Sequence, residues 1–264
     1  MKILTTPWKA DLLELVHQSK KTIKITSPFL KNNVCNELLH EKNDSVKLEL
    51  ITSFKLMSVY SGSLDLAAIE SILDRNGVVK NYSKLHSKIY LFDDTNAIIT
   101  SANLTNGGLL RNFEYGIQID EKNIVKQIAI DYNYLSKNEN TGIIRKSHLS
   151  TVKEILYKIP KTSVIKIPNY EIETPEENFD IIDTPSKNIS SSLDGWKLDV
   201  FNFLNNIPKQ VFDLKDVYFY QNELQQLHPK NNRVKHKIRQ QLQFLRDFGL
   251  LEFLGNGVYR KLWK

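Results

Sequence analysis

The sequence predicts an α/β sandwich over residues 1–160, followed by a linker and a smaller, mainly helical unit. Three observations carry this. Over the first 160 positions apolar residues recur alternately at spacings of two and of three to four, so strands interleave with helices. The texture then changes: residues 161–193 contain Pro168, Pro175 and Pro185, with six carboxylates and no lysine or arginine between Tyr170 and Thr184. Beyond them, residues 194–264 hold three amphipathic stretches and a closing hairpin signature.

The elements follow in order. "ADLLELVHQSKK" has apolar positions at helical spacing, "TIKITSPF" alternates like a strand, and "NNVCNELLHEK" is helical again. "VKLELITSF" predicts a second strand, and "LDLAAIESILDRNG" a helix closed by its C-terminal glycine. "KLHSKIYLFDD", "NAIITSAN" and "NFEYGIQI" are three strand-like runs separated by turn residues. "EKNIVKQIAIDYNYL" and "STVKEILYKI" predict helices, and residues 161–193 an extended, acidic, proline-containing linker. In the last unit "WKLDVFNFLNNI", "YFYQNELQQL" and "NRVKHKIRQQLQFLRDFG" predict helices, and "LLEFLGNGVYRKLW" two strands around Gly-Asn-Gly. Three helices and a terminal hairpin in residues 194–264 suggest a winged helix.

Composition bounds the function. Of 264 residues, 41% are hydrophobic and 25% charged, as in soluble globular proteins. No apolar run approaches the roughly 20 residues that span a bilayer. The start, "MKILTTPWKADLLELV", is broken too early for a signal-peptide core. Cys35 is the only cysteine, so no intrachain disulfide forms and a cytoplasmic home without a membrane partner is expected. Residues 1–195 hold 24 basic and 24 acidic side chains, whereas residues 196–264 hold 12 and 6, the whole net charge of +6. Such an excess fits a polyanionic partner; a solvated surface explains it equally well.

Strand alternation places His86 and Lys88 on one face, away from Leu85, Ile89 and Leu91. Asp93 follows four residues after Lys88, then Ser101-Ala102-Asn103 supplies a second polar pair. In "NFEYGIQI" Glu114 lies opposite Phe113, Tyr115, Ile117 and Ile119. Three successive strands thus offer polar groups, with small residues Ser87, Ala102, Gly107 and Gly108 around them.

This arrangement resembles the phospholipase D superfamily, whose signature is HxK, four residues, D, and a downstream SxN; here it stands as "HSKIYLFD" and "SAN". "IKITSPF" and "LELITSF" also look like that superfamily's first strands. The resemblance covers residues 1 to about 160 and implies a phospholipase D-like α/β/α sandwich. The residue types suit phosphodiester attack, which builds charge on the non-bridging oxygens. Lys88 and Asn103 can aim donors there, each worth roughly 3–4 kcal/mol to the transition state. His86 can be the nucleophile, forming a phosphohistidine, because imidazole is largely neutral near pH 7. Glu114 is placed to bond the far ring nitrogen of His86 and fix its tautomer. Ser101 either bonds phosphate or orders its loop, and Asp93 is expected to be a structural partner near the site.

The leaving oxygen needs a proton from a second histidine. Only one HxK with an aspartate after four further residues exists in the chain: His40 and His228 also have a lysine two positions on, Lys42 and Lys230, but no such aspartate, and His17, His148 and His236 have no lysine at that spacing. Superfamily enzymes build one site from two motifs, so the resemblance implies a homodimer with the site on its two-fold axis. No metal or cofactor is expected: the lysines take the place of magnesium, and CxxC, HExxH and an acidic metal triad are missing.

In the last unit Val234, Ile238, Leu242 and Leu245 form a buried stripe, opposite Arg233, His236, Arg239, Gln240 and Gln243 and flanked by Lys235 and Lys237. Arginine and glutamine pair with base edges in the major groove, and lysines with phosphates. Arg260 and Lys261 on the hairpin can grip the adjacent backbone. The segment is similar to winged helices appended to some bacterial restriction endonucleases. The expectation is therefore a type II-like restriction endonuclease on double-stranded DNA, a metal-independent deoxyribonuclease. The alternatives are a nonspecific or repair nuclease on the same scaffold, or a catalytically dead DNA-binding or assembly protein.

Overall fold

The computed structural model describes residues 1–159, 186–247 and 249–263. The linker expected at 161–193 lies outside the described residues as far as position 185. The chain divides into two compact units, residues 1–54 with 61–146, and residues 55–60 with 147–264.

In the first unit the strands are β1 (Lys2–Thr5), β2 (Thr22–Thr26), β3 (Lys47–Thr52), β4 (Val78–Asn81), β5 (Ile89–Phe92), β6 (Asn96–Thr100), β7 (Tyr115–Ile119) and β8 (Gly142–Ile144). They form one sheet in the order β1-β7-β6-β5-β2-β3-β4-β8. The helices are α1 (Lys9–Gln18), α2 (Asn32–Glu41), α4 (Leu66–Asp74) and α5 (Lys122–Ser136); the short α3 (Leu56–Tyr60) counts with the second unit. β2, β3 and β4 run parallel because helical crossovers return the chain to the same edge, while the remaining pairs are antiparallel.

Both faces of the sheet centre are buried. Ile23, Ile25, Leu50 and Tyr90 are fully buried on the side of α1, α2 and α4, where Trp8 meets Tyr90 edge-on at 5.7 Å. On the other face α5 packs Val125, Ile128 and Ala129 onto Leu91, Ala97 and Ile119. α5 does not reach the whole face. Cross-strand partners Ile3, Ile117 and Ile99 form a row toward one sheet end, with Ile3 61% and Ile99 40% exposed and Tyr115 on the same face 55% exposed.

Two expectations are corrected here. Alternation alone placed His86 and Lys88 on a strand, but β5 begins only at Ile89. The ladder stops there because the Thr26 hydroxyl, not a main-chain carbonyl, accepts from the Ile89 amide at 3.0 Å. Likewise Ser101 to Asn103 lie beyond the end of β6. Both polar pairs therefore stand on loops at strand ends, where side chains escape the pleat. The unmarked strands β1, β4 and β8 are three or four residues long, too short for a period to show.

The second unit contains α6 (Lys146–Lys158), α7 (Ser186–Ser190), α8 (Gly195–Asn206), β9 (Val211–Asp213), α9 (Leu214–Tyr218), α10 (Gln221–Leu227), α11 (Val234–Asp247), β10 (Leu251–Gly255) and β11 (Val258–Lys261). All but the first residue of α6 falls in this unit, although its residues belong to the 1–160 range read as the first domain. "YFYQNELQQL", read as one helix, breaks at Phe219–Tyr220, and a capping box from Asp213 and Asp216 starts the new short helix α9. The hairpin turn uses Gly255, Asn256 and Gly257 at φ of +98°, +51° and +75°, a path open to glycine and asparagine. β9 adds a third strand beside β11. On α11, Val234, Ile238, Leu242 and Leu245 are buried and the opposite face is exposed.

Candidate active site

At one end of the sheet β1, β2, β3 and β6 finish while β5 and β7 begin. His86 and Lys88 lead into β5, Ser101 to Asn103 leave β6, and Glu114 leads into β7. Pairing continues just past the strands: the Thr100 amide donates to Lys88 O at 3.2 Å, and the Ser101 amide to Tyr115 O at 3.0 Å. Sheet register thus brings three stretches together that are up to 28 residues apart in sequence.

Lys88 is 8% exposed, and His86 beside it is exposed. The Lys88 ammonium donates to His86 O at 2.7 Å and lies 3.4 Å from His86 Nδ1. One donor is used on the carbonyl, so N–H groups remain for an anion. Burial lowers the Lys88 pKa below 10.5, and the Glu114 charge acts against that shift. Among the described residues no partner bonds His86 Nε2. Asn103 Oδ1 accepts from the Phe29 amide at 3.4 Å, which leaves its Nδ2 as a donor.

Glu114 does not bond His86, contrary to expectation. Its Oε2 accepts from the Ser101 hydroxyl and its Oε1 from Asn112 Nδ2 at 3.3 Å. The reason is register: Ser101 pairs with Tyr115, so its hydroxyl faces the residue before β7. Ser101 Oγ also accepts from the Tyr115 amide at 3.1 Å. Within one chain this serine orders its loop.

Asp93 is structural, yet it is not beside the site. It stands at the opposite end of β5 from His86, where its carboxylate accepts from the backbone amides of Lys20, Lys21 and Thr22 at 2.7–2.8 Å. Burial alone would raise its pKa; the three backbone N–H groups and the Lys21 charge outweigh that and hold it below 3.8. Asp93 and Asp94 adopt φ of +52° and +55°, which short polar side chains tolerate in a turn.

Several groups support the site, and of these only Gly108 is marked in the sequence, as a small residue. Tyr90 reaches out of the core to donate its hydroxyl to Ala102 O at 3.2 Å. Burial pushes the Tyr90 pKa up, so the hydroxyl stays a neutral donor. The buried Ser27 hydroxyl donates to Phe29 O at 2.8 Å and accepts from the Leu104 amide at 2.9 Å, joining the two loops that flank Asn103. A π-helical turn, Gly107–Arg111, follows, and Gly108 lies so close that a Cβ there would stand 2.6 Å from Asn103 O. Trp8 Nε1 donates to Gly108 O at 3.3 Å. Core-type residues such as Trp8 and Tyr90 look alike in sequence whether or not a polar atom of theirs holds a loop.

In the second unit, a concave surface of about 1040 Å³ is lined by Arg233, His236, Lys237, Arg239, Gln240 and Gln243, together with Trp196 and His228. His228 has neighbours that sequence spacing did not reveal: Asp199 at 2.7 Å from Nε2, and Trp196 stacked at 4.0 Å. Lys237 Nζ donates to Gln240 Oε1 at 2.7 Å. Lys235 and Arg239 lie against Tyr218 of α9. Arg260 is half-buried and 3.4 Å from Glu252. Lys261 is corrected: it is 8% exposed and donates to the carbonyls of Leu204 and Ile207 at 3.3 and 2.7 Å, closing the end of α8 instead of facing a phosphate.

Among the described residues no three His, Cys, Asp or Glu side chains are grouped to hold a metal ion, and no helix is long and apolar enough to cross a membrane. Residues 12–136 match the family described as cardiolipin synthase, PLD-like domain, and residues 192–261 match the Dam-replacing HTH domain. Among solved structures the chain is similar to Nuc, a phospholipase D family member from Salmonella typhimurium, at 15% identity, over 55% of this chain and 97% of that one, with a TM-score of 0.47. It is also similar to NucT from Helicobacter pylori at 16% identity, over 50% and 92% of the two chains, with a TM-score of 0.39. The chain thus carries a PLD-like domain over residues 12–136 and a C-terminal Dam-replacing helix-turn-helix domain, of winged-helix form, over residues 192–261.

Proposed function

We propose that the chain is a restriction-type DNA endonuclease that cleaves phosphodiesters without metal, through a phosphohistidine on His86, in a site shared by two copies. The observation that carries this is the convergence of His86, Lys88 and Asn103 on one sheet end, in a chain with a single HxKxxxxD motif. A ring nitrogen of one His86 attacks phosphorus, and the bond to the leaving strand oxygen breaks as the second copy's His86 protonates that oxygen. Water then attacks the phosphohistidine, gives its proton to the same second ring, and the P–N bond breaks. Lys88 and Asn103 of both copies hold the non-bridging oxygens, each donor contributing roughly 3–4 kcal/mol.

The row of Ile3, Ile99 and Ile117 with Tyr115 supports the dimer, since it leaves apolar sheet surface open next to Ser101 and Glu114. The exposed face of α11 supports a duplex partner, because its arginine, lysine and glutamine side chains suit base edges and phosphates. The experiment is plasmid digestion with purified protein in excess EDTA. Discrete fragments are expected; strict dependence on magnesium refutes the mechanism, and a smear refutes site-specific cutting. His86→Ala is expected to abolish cutting while leaving DNA affinity nearly unchanged; loss of binding instead would mark His86 as structural.

A further inference from the structure

We infer that Tyr218 is a positioning residue for DNA sequence recognition, holding Arg239 as a reader of one guanine. The inference rests on the DNA-binding reading above and goes beyond it by naming a base and the group that sets its reader. Tyr218 ends α9, and Arg239 is at the middle of α11. Arg239 Nε donates to the Tyr218 hydroxyl at 2.6 Å, and the guanidinium carbon is 5.9 Å from the ring centroid. Lys235, one helical turn earlier, holds its ammonium 5.3 Å from the same ring. A single aromatic side chain thus seats two cations of the exposed helix face.

The chemistry of the guanidinium gives this seat its meaning. Arginine carries five N–H groups in a rigid plane, and engaging Nε fixes that plane. The two terminal nitrogens remain, and their parallel N–H groups match O6 and N7 of guanine in the major groove. Arg239 forms no salt bridge among the described residues, so its charge is not offset by a carboxylate there. An unheld arginine must give up rotamer freedom on binding; one already seated has given it up on folding. Tyr218 acts through Arg239 and touches no base itself.

Selection of duplexes from a randomised library, followed by affinity measurement on the enriched sequence and its single-base variants, tests this with the full chain. Wild type is expected to enrich a motif containing a guanine whose replacement weakens binding roughly tenfold. Tyr218→Phe keeps the ring and loses the acceptor; it should lose most of the preference at that one position, keep the others, and melt at an unchanged temperature. Arg239→Ala should lose the same position. A Tyr218→Phe motif identical to wild type overturns the proposal while the DNA-binding reading stands. So does a wild-type motif in which no guanine responds to both variants. Wild type that binds duplex without preference likewise overturns only the proposal, whereas wild type that binds no duplex overturns both.

Discussion

A methyl group at position 108 is expected to move Asn103 without unfolding the protein. Gly108→Ala would place its Cβ 2.6 Å from Asn103 O, 3.0 Å from Asn103 N and 3.2 Å from Ala102 Cβ. Two of these are backbone atoms and cannot swing aside as a side-chain tip does. To reach ordinary contact at 3.4 Å the Asn103 carbonyl must retreat by about 0.8 Å. That displacement carries the amide away from the oxygens it is proposed to hold. Misplacement on the order of 1 Å costs about a hundredfold in rate, so kcat should fall roughly 10–100-fold. Overpacking should cost about 1–3 kcal/mol of stability, partly offset by the lower chain entropy of alanine. Gly107→Ala is the control, because its nearest neighbours are side-chain atoms at 3.4–3.5 Å. Plasmid cleavage rates with thermal melts read both variants. Wild-type turnover in folded Gly108→Ala would refute the reasoning, since Asn103 would then be either unmoved or unneeded.

Ile99→Glu puts a carboxylate in the open apolar row and should give a folded, inactive monomer by sedimentation; an active monomer contradicts the shared site. Lys88 has a folded pKa below 10.5, so its ammonium is lost as pH rises through that lowered value. The cleavage rate should therefore fall on the alkaline side before pH 10.5; a rate flat to that pH counts against Lys88 as the oxyanion cation. Asp93 has a folded pKa below 3.8, so its contribution to stability is present above that pH and is lost as pH falls through the folded value. Asp93→Ala should lower the urea midpoint at pH 7, with the gap to wild type closing in acid; a gap constant with pH contradicts the assignment.

Much of the fold is legible in the sequence because its central elements are long and periodic. β2, β3, β5, β6 and β7 and the helices between them announce themselves by alternation or by helical spacing. β1, β4, β8 and β9 do not, being three or four residues long and held by partners as distant as Lys2 and Gln118. His86, Lys88, Asn103 and Glu114 are legible as a group through their spacing. Gly108 is marked only as a small neighbour, and Tyr90 and Ser27 not at all, since they act through atoms that only folding brings near the loop. Lys261 shows a readable error: it shares a strand face with the buried Tyr259, two positions earlier, so alternation already turned it inward.

The position of Asp93 gives the four-residue gap in the motif a mechanical meaning. Ile89 to Phe92 are the whole of β5, so the two ends of "HSKIYLFD" mark where one strand enters and leaves the sheet. The interval measures the sheet's depth at that point, with the nucleophile at one rim and a clamp on the amides before β2 at the other. Adding a single residue inside it would invert every side chain on one side of the insertion, so reactive geometry and core packing share one length.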